Sequence, residues 1–120
     1  MDDAHEVTLS VRDWKLIDGT IDNSVALAAV DGDDERSGSG TRVRQAGWAA
    51  ARSHPDVAAG SMGWPLDGAS LTVRLPAADW SFVLAEIARW AEVEERLGDV
   101  EERDESLRLA QLLRTNLADG

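Results

Sequence analysis

Residues 76–97, PAADWSFVLAEIARWAEVEERL, form the most regular amphipathic pattern in this 120-residue chain. Apolar side chains recur there at the three- and four-residue spacing of one face of an α-helix. They are Trp80, Val83, Leu84, Ile87, Trp90 and Ala91. Pro76 suits the first helical position, where no backbone N–H is needed, and Gly98 suits a left-handed C-terminal cap. The stretch predicts a long helix around which the hydrophobic core is built.

The first half of the chain resembles the second at an offset of 66 residues, without a gap. Asp13-Trp14 aligns with Asp79-Trp80, and Gly32 aligns with Gly98. The matched apolar positions are Val7 and Val73, Leu9 and Leu75, Leu16 and Phe82, Ile17 and Val83, Ile21 and Ile87, and Leu27 and Val93. Self-similarity at a fixed offset is typical of a repeated unit, although amphipathic strand–helix units also resemble one another without duplication. We interpret the chain as a single domain, residues 1–120, with an internal repeat at 5–53 and 71–119 joined by the Gly- and Pro-rich loop 54–70.

Each half predicts a strand followed by two helices, which makes the fold α+β and mostly helical. Apolar residues alternate with polar ones at 7–11 and again at 71–75, as in strands with one buried face. The order is therefore β-α-α twice over, with two short strands, four helices and pseudo-twofold symmetry. The alternating Ser and Gly of residues 37–40 predict a flexible linker at 31–40, followed by a helix at 41–53. The strands could pair across the pseudo-twofold axis or find partner strands in a second chain.

The composition excludes several classes of function. The chain has no Cys, which excludes disulfides, thiolate metal sites and cysteine catalysis. Its net charge of −11 opposes binding to nucleic-acid phosphates and to anionic membranes, so we expect neither as a partner. The acidic start has no apolar segment of the kind found in signal peptides, and no apolar run is long enough to span a bilayer. We expect a cytoplasmic protein.

No catalytic, cofactor-binding or metal-binding residues are predicted. Neither His5 nor His54 has a nucleophile and an orienting acid at a recognisable spacing, and Ser61 lies in no nucleophile-elbow pattern. The acidic residues at 31–35 could attract a hard cation, but they lack the ligand spacing of a calcium loop. A small enzyme with a site between the repeats stays an alternative, because distant residues can converge in space.

An acidic stretch runs through residues 92–105, with Glu101, Glu102 and Glu105 as candidates for an acidic face. One interpretation is a surface directed at a basic partner, as in an inhibitor or immunity-type protein, including one that imitates DNA. The other is a solvated hairpin tip whose carboxylates suit helix N-termini. Glu94 lies near the centre of the apolar stripe, so if it is buried it needs a partner such as Arg42 or Arg108.

Apolar residues outside the main stripe are the candidates for an interface. Trp14, Trp80 and Trp90 are predicted to lie in the core, whereas Trp64, beside Met62 in a loop, either caps the core or anchors a contact. The helix that follows each strand also has a second, narrower apolar face, away from the main stripe. These second helical faces add four candidates, which are Leu16, Leu27, Phe82 and Val93. We therefore expect a non-catalytic interaction module that self-associates as a homodimer, with a basic protein as the alternative partner.

Overall fold

The computed structural model describes residues 3–119, and the side chains of residues 3–118. Strand β1 covers Ala4–Ser10 and is followed by helices α1, Val11–Asp31, and α2, Asp34–Arg52. A 3-10 turn at Val57–Ala59 precedes strand β2, Ser70–Pro76, and helices α3, Ala77–Leu97, and α4, Val100–Asp119. This order confirms the predicted mostly helical α+β fold with two β-α-α units.

The two strands pair with each other inside the chain, in one antiparallel sheet. Val7 lies opposite Val73 in the register, which is the pair related by the 66-residue offset. The apolar side chains of both strands are buried against the helices, whereas Thr8 and Thr72 share a hydrogen bond of 2.7 Å on the outer face. Of the two arrangements that the sequence allowed, the structure has the one within the chain.

Positions that are 66 residues apart also contact each other between the helices. The pairs in contact are Trp14 with Trp80, whose ring centroids lie 6.0 Å apart at 80°, and Ser24 with Trp90, which share a 2.8 Å hydrogen bond. Because the two contacts follow each other ten residues apart on both helices, α1 and α3 run side by side in the same direction. Each helix starts at the sheet and is 21 residues long, so each ends about 31 Å away from its start. Both helix–helix turns therefore lie at the end of the molecule remote from the sheet.

Packing contacts and ion pairs join the two β-α-α units to each other. Helix α2 packs on β2 and helix α4 packs on β1, so the second helix of each unit covers the strand of the other unit. Arg108 of α4 binds Asp13 at 2.6 Å, and Arg42 of α2 binds Asp79 at 3.1 Å. The two ion pairs are related by the same offset of 66 residues, and both aspartates are buried.

The prediction of a flexible linker at 31–40 was wrong, because α2 begins at Asp34 and includes the Ser-Gly run. Asp33 caps this helix by accepting a hydrogen bond from the backbone N–H of Arg36 at 3.1 Å. A Cβ atom on Gly40 would come within 2.3 Å of a methyl group of Val25, and one on Gly47 would come within 2.0 Å of Nε1 of Trp14. These two glycines let α2 approach α1 closely, which is a packing role that composition alone does not indicate.

The ends of the helices agree better with the sequence-based predictions. Gly98 has the predicted left-handed conformation, with φ 78°, and Gly32 adopts the same conformation at the end of α1, with φ 72°. Pro76 differs from its prediction, because it is the last residue of β2 and precedes the helix instead of opening it. Trp14 and Trp80 are buried as predicted, whereas Trp90 is only half-buried.

Candidate protein-interaction surfaces

Most of the net charge lies in residues 31–36 and 92–105, which contain both helix–helix turns at the end remote from the sheet and which we call the acidic end. These two segments hold twelve of the 23 Asp and Glu residues and three of the twelve Lys and Arg residues. Their net charge is −9 out of a total of −11. The remaining residues are almost balanced, so the molecule is electrostatically polarised along its length.

Exposed apolar side chains accompany this charge. Among the described residues, eight large hydrophobic side chains are exposed, and five of them lie within or beside the acidic end. The five are Leu27, Val30, Leu97, Val100 and Leu107. Val30 is the most exposed of them, at 84%. A surface that combines apolar side chains with charge of one sign is typical of an interaction site.

An open groove of about 530 Å³ lies between α3 and α4 next to the acidic end. Its apolar lining comes from Ala88, Ala91 and Leu107. Its charged lining comes from Glu92, Glu95, Arg96 and Arg103. The small alanine side chains leave room above the groove floor. The two glutamates and two arginines of the lining balance in charge, so the negative excess lies beside the groove, in the acidic end.

Arg103 joins the two helices at this groove. Its guanidinium donates hydrogen bonds to Glu95 of α3 and to its neighbour Asp104, and these bonds raise the pKa of Arg103. Arg103 therefore neutralises carboxylate charge at the groove. The acidic excess lies closer to the turn between α3 and α4.

The three glutamates predicted as an acidic face have different surroundings. Glu101 and Glu102 are exposed in the first turn of α4, at the acidic end. Glu105 is half-buried and accepts a hydrogen bond of 2.5 Å from Arg108, which lowers the pKa of Glu105. Glu105 therefore belongs to the internal network around Asp13, and the other two are the members available to a partner.

Glu94 is half-buried, but its partner is not an arginine. It accepts a hydrogen bond of 2.8 Å from the hydroxyl of Ser106 in α4. An arginine partner was expected only for a buried Glu94, and Arg42 and Arg108 bind the two buried aspartates instead.

A second candidate surface lies near the sheet, in the loop between the two halves. Ser61 and Trp64 exchange two backbone hydrogen bonds of 3.0 Å and so close a two-residue hairpin turn. Met62 and Gly63 at its tip have φ values of 58° and 84°, which is the pattern of a type I′ turn. The Met62 side chain is 94% exposed. The turn therefore holds an apolar side chain almost wholly in solvent.

A cleft of about 220 Å³ lies directly beside Met62, and we call Met62 together with this cleft the Met62 patch. Trp48, Arg52, Gly63 and Trp64 complete its lining. Trp64 is half-buried against the core and Trp48 is 37% exposed, so both predicted roles of Trp64, core cap and contact surface, are structurally compatible.

The Trp48 ring is held in place by Arg44, whose guanidinium carbon lies 4.7 Å above the ring centroid. Arg44 is itself bound by Asp18 at 3.1 Å and by Asp22 at 2.8 Å in α1. The wall of the cleft formed by Trp48 is therefore tied to the helical scaffold.

The other predicted interface residues do not form one exposed surface. Leu16 and Phe82 pack against the core, and Phe82 lies beside Gly40 of α2. Val93 is half-buried, and of the four only Leu27 is exposed. Three of these four side chains are thus at least partly buried within the chain, so they do not form a free interface.

The histidines and the acidic loop take part in local structure. Nδ1 of His54 accepts a hydrogen bond of 3.0 Å from the backbone N–H of Asp56, and its Nε2 lies 3.0 Å from the carbonyl of Ser70. The carbonyl of His5 accepts from Nε1 of Trp80 at 2.9 Å. Within the side chains that the structure describes, no group of three or more His, Asp or Glu residues is placed to hold a metal ion.

None of the helices in residues 3–119 combines the length and apolarity needed to cross a bilayer. No protein-family model, no curated protein and no solved structure matches this chain.

Proposed function

We propose that the protein is a non-catalytic interaction module whose acidic end binds a basic, amphipathic segment of another protein. The observation that carries this proposal is the overlap of two features at one end of the molecule. The acidic end holds nine of the eleven net negative charges, and five of the eight exposed large hydrophobic side chains of the described residues lie within or beside it. An acidic inhibitor of a basic enzyme is one form of this interaction.

The groove between α3 and α4 supports an amphipathic segment as the occupant. An amphipathic helix bound in a groove places its apolar face on the floor and its charged face at the rim. Ala88, Ala91 and Leu107 supply the apolar contact, and Glu92 lies beside them. The charges of the groove lining itself balance, so Lys or Arg side chains of the occupant would face the carboxylates of the acidic end beside the groove, which accelerates association and selects basic partners.

A second copy of the chain is disfavoured as the occupant of this end. Two acidic ends repel each other when they approach, and the strands already pair within one chain. The expected self-association therefore needs another surface.

A synthetic basic helix with leucine and lysine at helical spacing tests the proposal, with a peptide of the same composition in scrambled order as its control. We expect the helical peptide to bind more tightly than the scrambled one, and its affinity to fall when salt is raised from about 0.05 M to about 0.5 M. Leu107→Ser should weaken binding of the helical peptide, because it removes apolar contact from the groove.

Charge reversal at Glu101 provides the electrostatic test. A partner charge about 8 Å away in water contributes about 0.5 kcal/mol, so reversal changes the binding free energy by about 1 kcal/mol, or about fivefold in Kd. Asp56→Lys is the matched control, because Asp56 is exposed in the loop near the sheet and the charge changes by the same amount. Equal effects of the two reversals, or equal binding of both peptides, would overturn the proposal.

A further inference from the structure

The backbone at Met62 is strained for a residue of its type. Positive φ values favour glycine, asparagine and aspartate, and the first position of a type I′ turn normally holds one of them. Met62 has φ 58°, and its side chain is 94% exposed, so contacts within the chain do little to compensate for the strain. An observed backbone outlier of this kind indicates a role outside the fold.

The turn that carries Met62 is rigidly supported. Its two backbone hydrogen bonds join Ser61 and Trp64, and a Cβ on Gly60 would lie 1.8 Å from the carbonyl oxygen of Trp64. Behind the turn, the carbonyls of Asp67 and Ala69 accept from the first backbone N–H groups of α1 at 3.1 and 2.9 Å. The backbone that carries the exposed methionine is therefore held in one position.

We infer that Met62 inserts into the Trp48–Trp64 cleft of a second copy of this chain, forming a symmetric dimer. A twofold interface requires a patch that is complementary to itself. The Met62 patch has a projecting side chain and a cleft of about 220 Å³ next to each other. Such a cleft is smaller than typical small-molecule pockets and suits a single side chain. Methionine sulfur also makes favourable contacts with aromatic rings such as those of Trp48 and Trp64.

The charge distribution favours a second copy at this patch. Residues outside the acidic end carry a net charge of only −2, so two sheet-proximal surfaces repel each other weakly. Trp48 lies fourteen residues along α2 from Asp34, about 21 Å from the part of the acidic end formed by residues 31–36. This separation exceeds the Debye length of about 8 Å at physiological salt. The dimer would keep both acidic ends free for partners.

Sedimentation equilibrium of the full chain over about 1 µM to about 1 mM tests the inference, at low and high salt. We expect a dimer that survives high salt, since the contact is apolar. Met62→Asn should raise the dissociation constant of the dimer by about tenfold or more. It should leave the monomer at least as resistant to urea, because asparagine suits the turn. Met62→Gly, which also suits the turn and lacks the side chain, should behave in the same way.

Val30→Asn is the matched control, because Val30 is an apolar residue 84% exposed at the opposite end. A wild-type protein that stays monomeric over the whole range, a Met62→Asn variant that dimerises like wild type, or equal weakening by Val30→Asn would each overturn the inference. The outcome is independent of the proposed function, because Met62→Asn should still bind the basic peptide and Glu101→Lys should still dimerise.

Discussion

Replacing Gly47 with alanine should destabilise the protein, although alanine is the better helix former. The new Cβ would lie 2.0, 2.6 and 2.9 Å from Nε1, Cε2 and Cζ2 of Trp14. Trp14 is buried and packed edge-to-face on Trp80, so its ring has little freedom to move away. Either α2 shifts outward from α1, or the two indole rings lose their packing.

The magnitude follows from opposing contributions to the free energy of unfolding. Alanine in place of glycine inside a helix contributes about 1 kcal/mol of stability. Overpacking of a core costs about 1–3 kcal/mol, and loss of an aromatic pair costs about 0.5–1.5 kcal/mol more. We therefore expect Gly47→Ala to lower the free energy of unfolding by about 2 kcal/mol, which corresponds to about 8 °C in Tm for a domain of this size.

Urea unfolding followed by circular dichroism measures this effect, and the chain offers two matched controls. A Cβ added at Gly19, inside α1, would meet nothing within 4 Å, and one added at Gly38, inside α2, would meet only the end of Arg42, at 3.9 Å. Replacing either glycine with alanine should raise the free energy of unfolding by about 1 kcal/mol. A Gly47→Ala variant as stable as the Gly19→Ala variant would refute the close packing of α2 on Trp14. A Gly38→Ala variant without any gain would refute the helix through residues 37–40.

Two further predictions concern ion pairs. Arg36 and Glu86 are bound at 2.6 Å with side-chain exposures of only 12% and 8%, so Arg36→Ala should cost about 3–5 kcal/mol in urea unfolding. The double variant Arg36→Met with Glu86→Leu should recover most of this loss; a double variant as unstable as the single one would contradict the charge-burial argument. The pKa of Glu105 is lowered mainly by the hydrogen bond from Arg108, so its contribution to stability is present above about pH 4.5 and lost as pH falls through the lowered pKa. Glu105→Gln should therefore unfold more easily than wild type at pH 7, and the difference should narrow in acid; a constant difference would show that Glu105 does not act through its charge.

The sequence predicted only part of the candidate surfaces. Met62 and Trp64 stood out because apolar side chains in a Gly- and Pro-rich loop have no helical stripe to join, and the structure leaves Met62 exposed. The acidic stretch of residues 92–105 was also evident in the sequence. That it lies at the same end as residues 31–36 was not predicted, because this depends on α1 and α3 running in the same direction. Nothing in the sequence indicated that Trp48 lines the cleft, since three of its four neighbours there come from the loop at 62–64.

Local periodicity in the sequence was enough to determine the order of strands and helices, the buried positions of Trp14 and Trp80, and the cap at Gly98. Each of these depends on residues close together in the chain, where spacing and backbone preference act directly. The tertiary structure alone decided that the strands pair within the chain, that Glu94 binds Ser106, and that residues 37–40 are helical. A glycine favours flexibility in an isolated segment and close packing beside a neighbouring helix. Which effect prevails depends on contacts such as Gly40 with Val25, between residues on different helices.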